Sequence, residues 1–434
     1  MLNTGKWMRF RVRVVCGIFA CGCIVGLLIR LYYLQIIQGK EYSRRAVSQQ
    51  LRDTVIPAPR GDILSADGTV LAASETCWTV RASPRELKDE LVEPAAQALA
   101  AILEIEKEEL LEKLGDRKSN DKLLKRRVDK KTADAVRDWC AENGAEGILI
   151  LEDVKRIYPQ GNFAGSILGF TNVDGVGVAG IEMKYNEALT GNNGRVLTAK
   201  NAWGYNMPTD YSTVLQAVKG RDLQLTIDAN IQHFLENYLT AAVEEHNVSG
   251  RGVGIVMNVN TGAILAMATK PDFDPNYPRY IQDEDTRKAV EALVGEARQE
   301  ALTLAQQTQW RNKAVSDLYE PGSVFKLITA SAVIDSGNST PETQYVCAGK
   351  INVAGTVFRC ANGHIHGLET FRQGLGVSCN PCFIQAGARL GKEAFCDYFE
   401  AFGLRSATGV DLPAEPKKSE YYTADRMGAV KAAV

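Results

Sequence analysis

The sequence predicts an α+β protein carried on an N-terminal transmembrane helix, and three features predict it. An uncharged run, Val14 to Ile29, continues past Arg30 as Leu31 to Ile37. A tight-turn signal, Asp67-Gly68, sits between alternating apolar residues and is followed by helical periodicity from Leu87 to about Ala145. Finally, Leu223 to Asp228, Ala229 to Glu244, Gly252 to Val259 and Ala263 to Ala268 read as strand, helix, strand and strand, which implies a helix packed on an antiparallel sheet.

The first element is a spanning helix because about 17–25 residues cross the bilayer core, Arg30 can snorkel, and Tyr32 and Tyr33 suit the interface. Arg30 and the bulky Leu31-Tyr-Tyr-Leu34 stand where a cleaved signal peptide needs small residues, so the anchor is expected to stay. Lys6, Arg9, Arg11 and Arg13 precede it, and the positive-inside tendency puts residues 1–13 in the cytoplasm, 14–37 in the membrane and the rest outside. A chain of 434 residues, 45% hydrophobic and 24% charged, holds two or three domains with real cores. A boundary near Lys219-Gly220 divides residues 45–215 from 222–434. With 50 basic and 52 acidic residues the net charge is -2, which gives no global field for a nucleic-acid partner.

In the first domain Asp67-Gly68 supplies the positive backbone angles of a hairpin, and Glu108 to Leu114 shows the charged and apolar faces of a solvated helix. Gly175, Gly177 and Gly180 match the spacing of a dinucleotide loop. That motif also needs a preceding strand, a long following helix and an acidic residue about 20 positions on; Ile181 to Leu189 can be a helix, but the stretch lies in an extracytoplasmic segment where nucleotide is not expected. In the second domain Asp228 is placed to cap the helix from Ala229, and Asn260-Thr-Gly262 reads as the turn between two strands.

Of ten cysteines, Cys16, Cys21 and Cys23 lie in the span. Cys347 and Cys360 flank a segment that reads as a hairpin around Ala354-Gly355, and a disulfide clipping it is compatible with an extracytoplasmic location. Cys379 and Cys382 form C-x-x-C, while Cys347, Cys360, His364 and His366 offer soft ligands at zinc-like spacing. Cys379 is explained by another motif, and His364 to Gly367 reads as a plain loop, so no metal and no cofactor are predicted.

That other motif belongs to a pair. In Glu320 to Leu327, Ser323 and Lys326 are three residues apart after Pro-Gly; on one helical face a partly desolvated, neutral lysine can take the serine proton. Alone, the pattern is more often a cap and a surface charge. Ser378-Cys-Asn380, 55 residues beyond Ser323, presents a hydroxyl and an amide that can relay a proton and hold a substrate amide.

These residues stand in an order that resembles the class B penicillin-binding proteins, membrane-anchored D,D-transpeptidases that cross-link peptidoglycan. The resemblance runs through Arg30 to Gln35, Pro59-Arg-Gly-Asp62 with Asp67-Gly68, Arg156 to Pro159, Gly180-Ile-Glu182, Leu225 to Asp228, Thr261 to Met267 with Asp274-Pro-Asn276, and Arg311-Asn312 before Tyr319 to Lys326. It implies a pedestal or dimerisation domain over 45–215 and a transpeptidase domain over 222–434. It implies Ser323 as the acylated nucleophile, with its N–H as one oxyanion donor, and Lys326 as general base. Ser378 would be the proton carrier toward the leaving D-alanine, and Asn380 the group that binds the donor peptide. Implied partners are peptidoglycan stem peptides, β-lactams, the membrane, a polymerising glycosyltransferase and division or sporulation complex proteins.

The family's third motif, Lys-Thr-Gly or Lys-Ser-Gly, does not occur in the sequence, and Met427 to Val434 is an apolar pattern with no stop signal. The expectation is therefore a catalytic domain incomplete at its C-terminus and crippled as given. The rivals are a serine β-lactamase or β-lactam sensor, which typically lacks so long a pedestal, and an inactive anchored scaffold. The Cys347/Cys360 pair leans toward a division or sporulation type.

Overall fold

The computed structural model describes residues 4–38, 51–199 and 213–416. The apolar run Met427–Val434 and the first residues of the segment predicted to begin at 45 lie outside them. An N-terminal helix, Thr4–Tyr32, continues through a wider turn, Tyr33–Ile37. Within it Phe10–Ile37 is 28 residues of apolar helix with none of its most apolar window buried in protein; at 1.5 Å per residue that is about 42 Å, against a hydrocarbon core of about 30 Å.

The chain, this helix included, divides into two compact units. One is drawn from residues 1–62, 74–156 and 188–222, the other from 63–73, 157–187 and 223–434. In the first, Leu51–Ile56 pairs antiparallel with Gly194–Ala199, which also pairs with Thr213–Leu215. A second sheet joins the later part of Val70–Ala82 to Lys122–Val128 and Ile148–Ile157. Three helices, Asp89–Leu103, Lys107–Gly115 and Lys130–Asn143, carry buried pairs at helical spacing, Leu99 with Leu103, Leu110 with Leu114 and Ala133 with Val136, into one core with Val80, Leu124 and Val128. The Asp129 carboxylate accepts from Thr132 N at 2.7 Å to start the third helix, and left-handed Gly144 ends it.

The helical reading of Leu87 to Ala145 is thus corrected in its middle, where Lys122–Val128 is a strand. Its two buried residues, Leu124 and Val128, are four apart, a spacing that satisfies both the helical and the strand period. The strand is also irregular, shifting register against Trp78 and Val80, with Arg127 at φ 56°.

In the second unit the predicted hairpin forms, with Ile63 opposite Ala72, Leu64 opposite Val70 and Gly68 at φ 86°. Asp228 caps the helix Ala229–Glu245 by accepting from Asn230 N and Ile231 N at 2.9 and 3.0 Å. That helix lies on the antiparallel pair Gly252–Met257 and Ile264–Lys270. Two strand glycines permit the approach, since a Cβ on Gly252 or Gly254 would stand 2.7 Å from Val243 Cγ2 or Leu235 Cδ1. Buried Gln232 ties helix to strand, donating to Met267 O and accepting from Met267 N. Lys270 Nζ bridges the buried carboxylates of Glu236 and Asp272 at 3.0 and 2.6 Å.

Gly177 and Gly180 serve packing, while Gly175, at φ 77°, serves a turn. Only the five-residue helix Gly180–Lys184 follows them, and a Cβ on Gly177 would fall 1.9 Å from Glu182 O.

A further core in this unit joins the helices Lys326–Asp335, Asn380–Leu390 and Lys392–Ala401 to the strand Gln344–Cys347, which pairs with Gly367–Thr370; a second ladder, Lys350–Val353 with Thr356–Arg359, adds no buried residue to it. The second ladder turns at Ala354 and Gly355, as predicted; both have the positive φ, 48° and 87°, of a primed turn.

Candidate active site

The Pro321-Gly322 step sets the site. Gly322, at φ 58°, starts a single 3₁₀ turn, Gly322–Phe325, which passes into the helix Lys326–Asp335. In such a turn residues three apart eclipse, so Ser323 and Lys326 share a face. Facing them is the turn Val377 to Cys379 before the helix Asn380–Leu390, and Ser378 there is left-handed at φ 55°, an uncommon state for a residue with a Cβ.

The structure brings all four sequence candidates together. Ser378 Oγ donates to Ser323 Oγ at 3.1 Å. Lys326 Nζ donates to Ser378 O at 2.7 Å, Ser378 Oγ at 3.0 Å and Asn380 Oδ1 at 2.6 Å. Asn380 Nδ2 in turn donates to Arg359 O at 2.9 Å. The expected direct contact between lysine and serine is replaced by a bridge: Lys326 reaches Ser323 through the Ser378 hydroxyl. Ser323 is exposed and Lys326 half-buried, and they line a cavity of about 310 Å³ with Phe358, Arg359 and Asn380.

Burial lowers the Lys326 pKa, with nearby Cys360, Cys379 and Cys382 opposing it. Its Nζ also stands 5.6 Å from the centre of the Phe383 ring. Neither Arg359, whose carbonyl fixes Asn380, nor Phe383 was marked by any motif; both are supplied by the fold.

Behind this turn the cysteines depart from expectation. Cys347 and Cys360 are both free rather than paired as a clip. Cys360 Sγ instead stands 3.9 Å from Cys379 Sγ and 3.6 Å from His366 Nδ1, while Cys347 Sγ donates to His364 O at 3.7 Å. Burial works to raise the Cys347 thiol, yet hydrogen bonds from the amides of His366 and Gly349 bring it down to about 7. Burial pushes Cys382 up to about 12.

Comparison with known proteins identifies the family. The profile of the penicillin-binding protein dimerisation domain matches residues 55–225, and that of the penicillin binding protein transpeptidase domain matches 252–425. Stage V sporulation protein D of Bacillus subtilis is 30% identical over 417 residues, covering 95% of this chain and 60% of that protein. The peptidoglycan D,D-transpeptidase FtsI of Escherichia coli is 28% identical over 425 residues, 94% of this chain and 66% of that one.

The chain belongs to the class B penicillin-binding proteins. Its fold agrees with that of other penicillin-binding proteins: the Helicobacter pylori PBP2 structure, solved as a complex with MreC, aligns with a TM-score of 0.67 over 88% of this chain and 72% of that one at 20% identity. As a class B penicillin-binding protein the chain spans 60 to 66% of the length of these two curated relatives.

Proposed function

We propose that the chain is part of a membrane-anchored peptidoglycan D,D-transpeptidase that works through an acyl-enzyme on Ser323 and is acylated there by β-lactams. The observation that carries this reading is the hydrogen-bonded line Ser323 Oγ, Ser378 Oγ, Lys326 Nζ at the mouth of a cavity.

With Lys326 neutral, the hydroxyl hydrogens of this line can all point toward its amine. As Ser323 Oγ attacks the carbonyl of a D-alanyl-D-alanine end, its proton passes to Ser378 Oγ, whose own proton passes to Lys326 Nζ. Collapse of the tetrahedral intermediate breaks the C–N bond, the proton returns by the same line to the departing D-alanine, and the peptide stays as an ester on Ser323. An amine of a second stem peptide then attacks the ester, gives its proton to the line, restores the Ser323 hydroxyl and leaves a new amide cross-link. In a β-lactam the broken amide lies in a ring, so the leaving amine stays tethered and the ester persists. The Ser323 amide, at the start of its turn, is an oxyanion donor of the kind worth about 2.7–4 kcal/mol. Asn380 holds Lys326 through Oδ1 and Arg359 through one amide hydrogen, which leaves the other for the donor peptide.

We read residues 1–13 as cytoplasmic, 14–37 as the anchor, 45–215 as the pedestal and 222 onward as the catalytic domain outside the membrane. The apolar helix Phe10–Ile37 and the basic residues before it support that order. The partners expected are a polymerising glycosyltransferase and division or sporulation proteins, a reading supported by the sporulation relative and by the Helicobacter pylori PBP2 complex with MreC. The test is cross-linking of two defined stem peptides by the gene product carrying this chain: Ser323→Ala should abolish both the dimer and release of D-alanine, and dimer formation by that variant would overturn the reading.

A further inference from the structure

The cluster behind the Ser378 turn has a geometry that the reaction does not use. Cys347, Cys360 and Cys379 are buried and His366 is half-buried, and one ligand atom from each lies within 4.8 Å of all the others. Bonds of about 2.3 Å to sulfur and 2.0–2.1 Å to nitrogen make the edges of a tetrahedral site about 3.8 Å between sulfurs and about 3.6 Å between sulfur and nitrogen. The Cys360 to Cys379 separation is 3.9 Å and the Cys360 to His366 separation 3.6 Å. A disulfide would need about 2.05 Å and would leave the imidazole unexplained. From sequence, His364 and His366 were equivalent candidates in one loop; folding turns His366 inward, and His364 contributes its carbonyl to Cys347.

We propose that Cys347, Cys360, His366 and Cys379 bind one zinc ion in a closed Cys3His site that fastens the Ser378–Asn380 turn to the hairpin Lys350–Arg359. Three thiols give up their protons to solvent as the metal binds, and Zn²⁺ with three thiolates carries a net charge of -1. All four ligand positions come from the protein, so the site is structural and has no open coordination position for substrate. Its effect on the reacting groups is positional. Cys379 lies between Ser378, which bridges Ser323 to Lys326, and Asn380, which holds Lys326. The same metal holds Cys360, one residue after Arg359, whose carbonyl holds Asn380. Metal binding does not depend on the proposed reaction and is read without any activity.

The test is elemental analysis of the gene product carrying this chain, purified without chelator, together with exchange into Co²⁺. The expected results are about one zinc per chain and, with cobalt, the intense thiolate-to-metal absorption and visible bands of a tetrahedral site. His366→Gln and Cys347→Ser should each lower retained zinc at least about tenfold after the same dialysis, whereas Cys140→Ser, in the other unit, should keep it. Cobalt spectra and thiol titration on the unsubstituted protein cover the case in which a variant misfolds. A metal-free protein with free thiols, a disulfide among Cys347, Cys360 and Cys379, or full zinc retention by both ligand variants would each overturn the proposal.

Discussion

Ser378 can be tested apart from its backbone, because its hydroxyl and its left-handed conformation respond to different substitutions. Ser378→Ala removes the oxygen that stands 3.1 Å from Ser323 Oγ and 3.0 Å from Lys326 Nζ. Lys326 keeps the Ser378 carbonyl at 2.7 Å and Asn380 Oδ1 at 2.6 Å, so the amine stays in place while its line to Ser323 is cut. Two lost hydrogen bonds cost about 1–2 kcal/mol of stability. Ser378→Gly loses the same bonds but relieves the φ of 55°, which is worth about 1–2 kcal/mol, so its stability should stay close to that of the parent. Both variants should lose the proton relay, a contribution of about 10²–10⁴ in rate, or about 2.7–5.4 kcal/mol of barrier. The assay is the second-order rate constant for acylation by fluorescent penicillin, set against thermal midpoints for all three proteins. A glycine variant that acylates within about threefold of the parent, a difference under about 1 kcal/mol, would refute the relay.

Four further outcomes follow from the geometry. Acylation should rise with pH through a midpoint below the ordinary lysine value of 10.5, because burial lowers Lys326 and the neutral amine is the base. By the same shift the unfolded chain binds this proton more tightly, so stability should also rise with pH between the folded-state value and 10.5; a flat rate profile over that window would contradict the assignment. Lys270→Met leaves the carboxylates of Glu236 and Asp272, 10% and 11% exposed, without their shared cation, and should cost about 3–5 kcal/mol in urea unfolding. Gly177→Ala places a methyl 1.9 Å from Glu182 O and should cost about 1–3 kcal/mol by the same assay, as expected if that glycine-rich stretch is a packing element.

The elements with one dominant local cause were legible in advance. Gly68 and Gly355 supply the positive φ that a tight turn needs, and both lie in hairpin turns. Asp228 before an amphipathic run demands a cap, and it accepts two amides. Ser323 and Lys326 were legible as a pair because a helical turn fixes their relation, and Ser378 with Asn380 because two motifs in one chain constrain each other. The strand Lys122–Val128 was not, since a four-residue spacing serves two periods and its neighbours decide between them. The route from Lys326 to Ser323 through Ser378, the Arg359 carbonyl under Asn380, and the meeting of His366 with Cys379 all join residues distant in sequence; only the packing of the helices on their hairpins sets those distances.

The most direct test of the catalytic reading is peptide mapping by mass spectrometry of the gene product carrying this chain after incubation with a β-lactam. The adduct should sit on the peptide containing Gly322-Ser323-Val324 and be lost in Ser323→Ala. An adduct on any other residue, or one that survives that substitution, would contradict the assignment of Ser323 as the nucleophile.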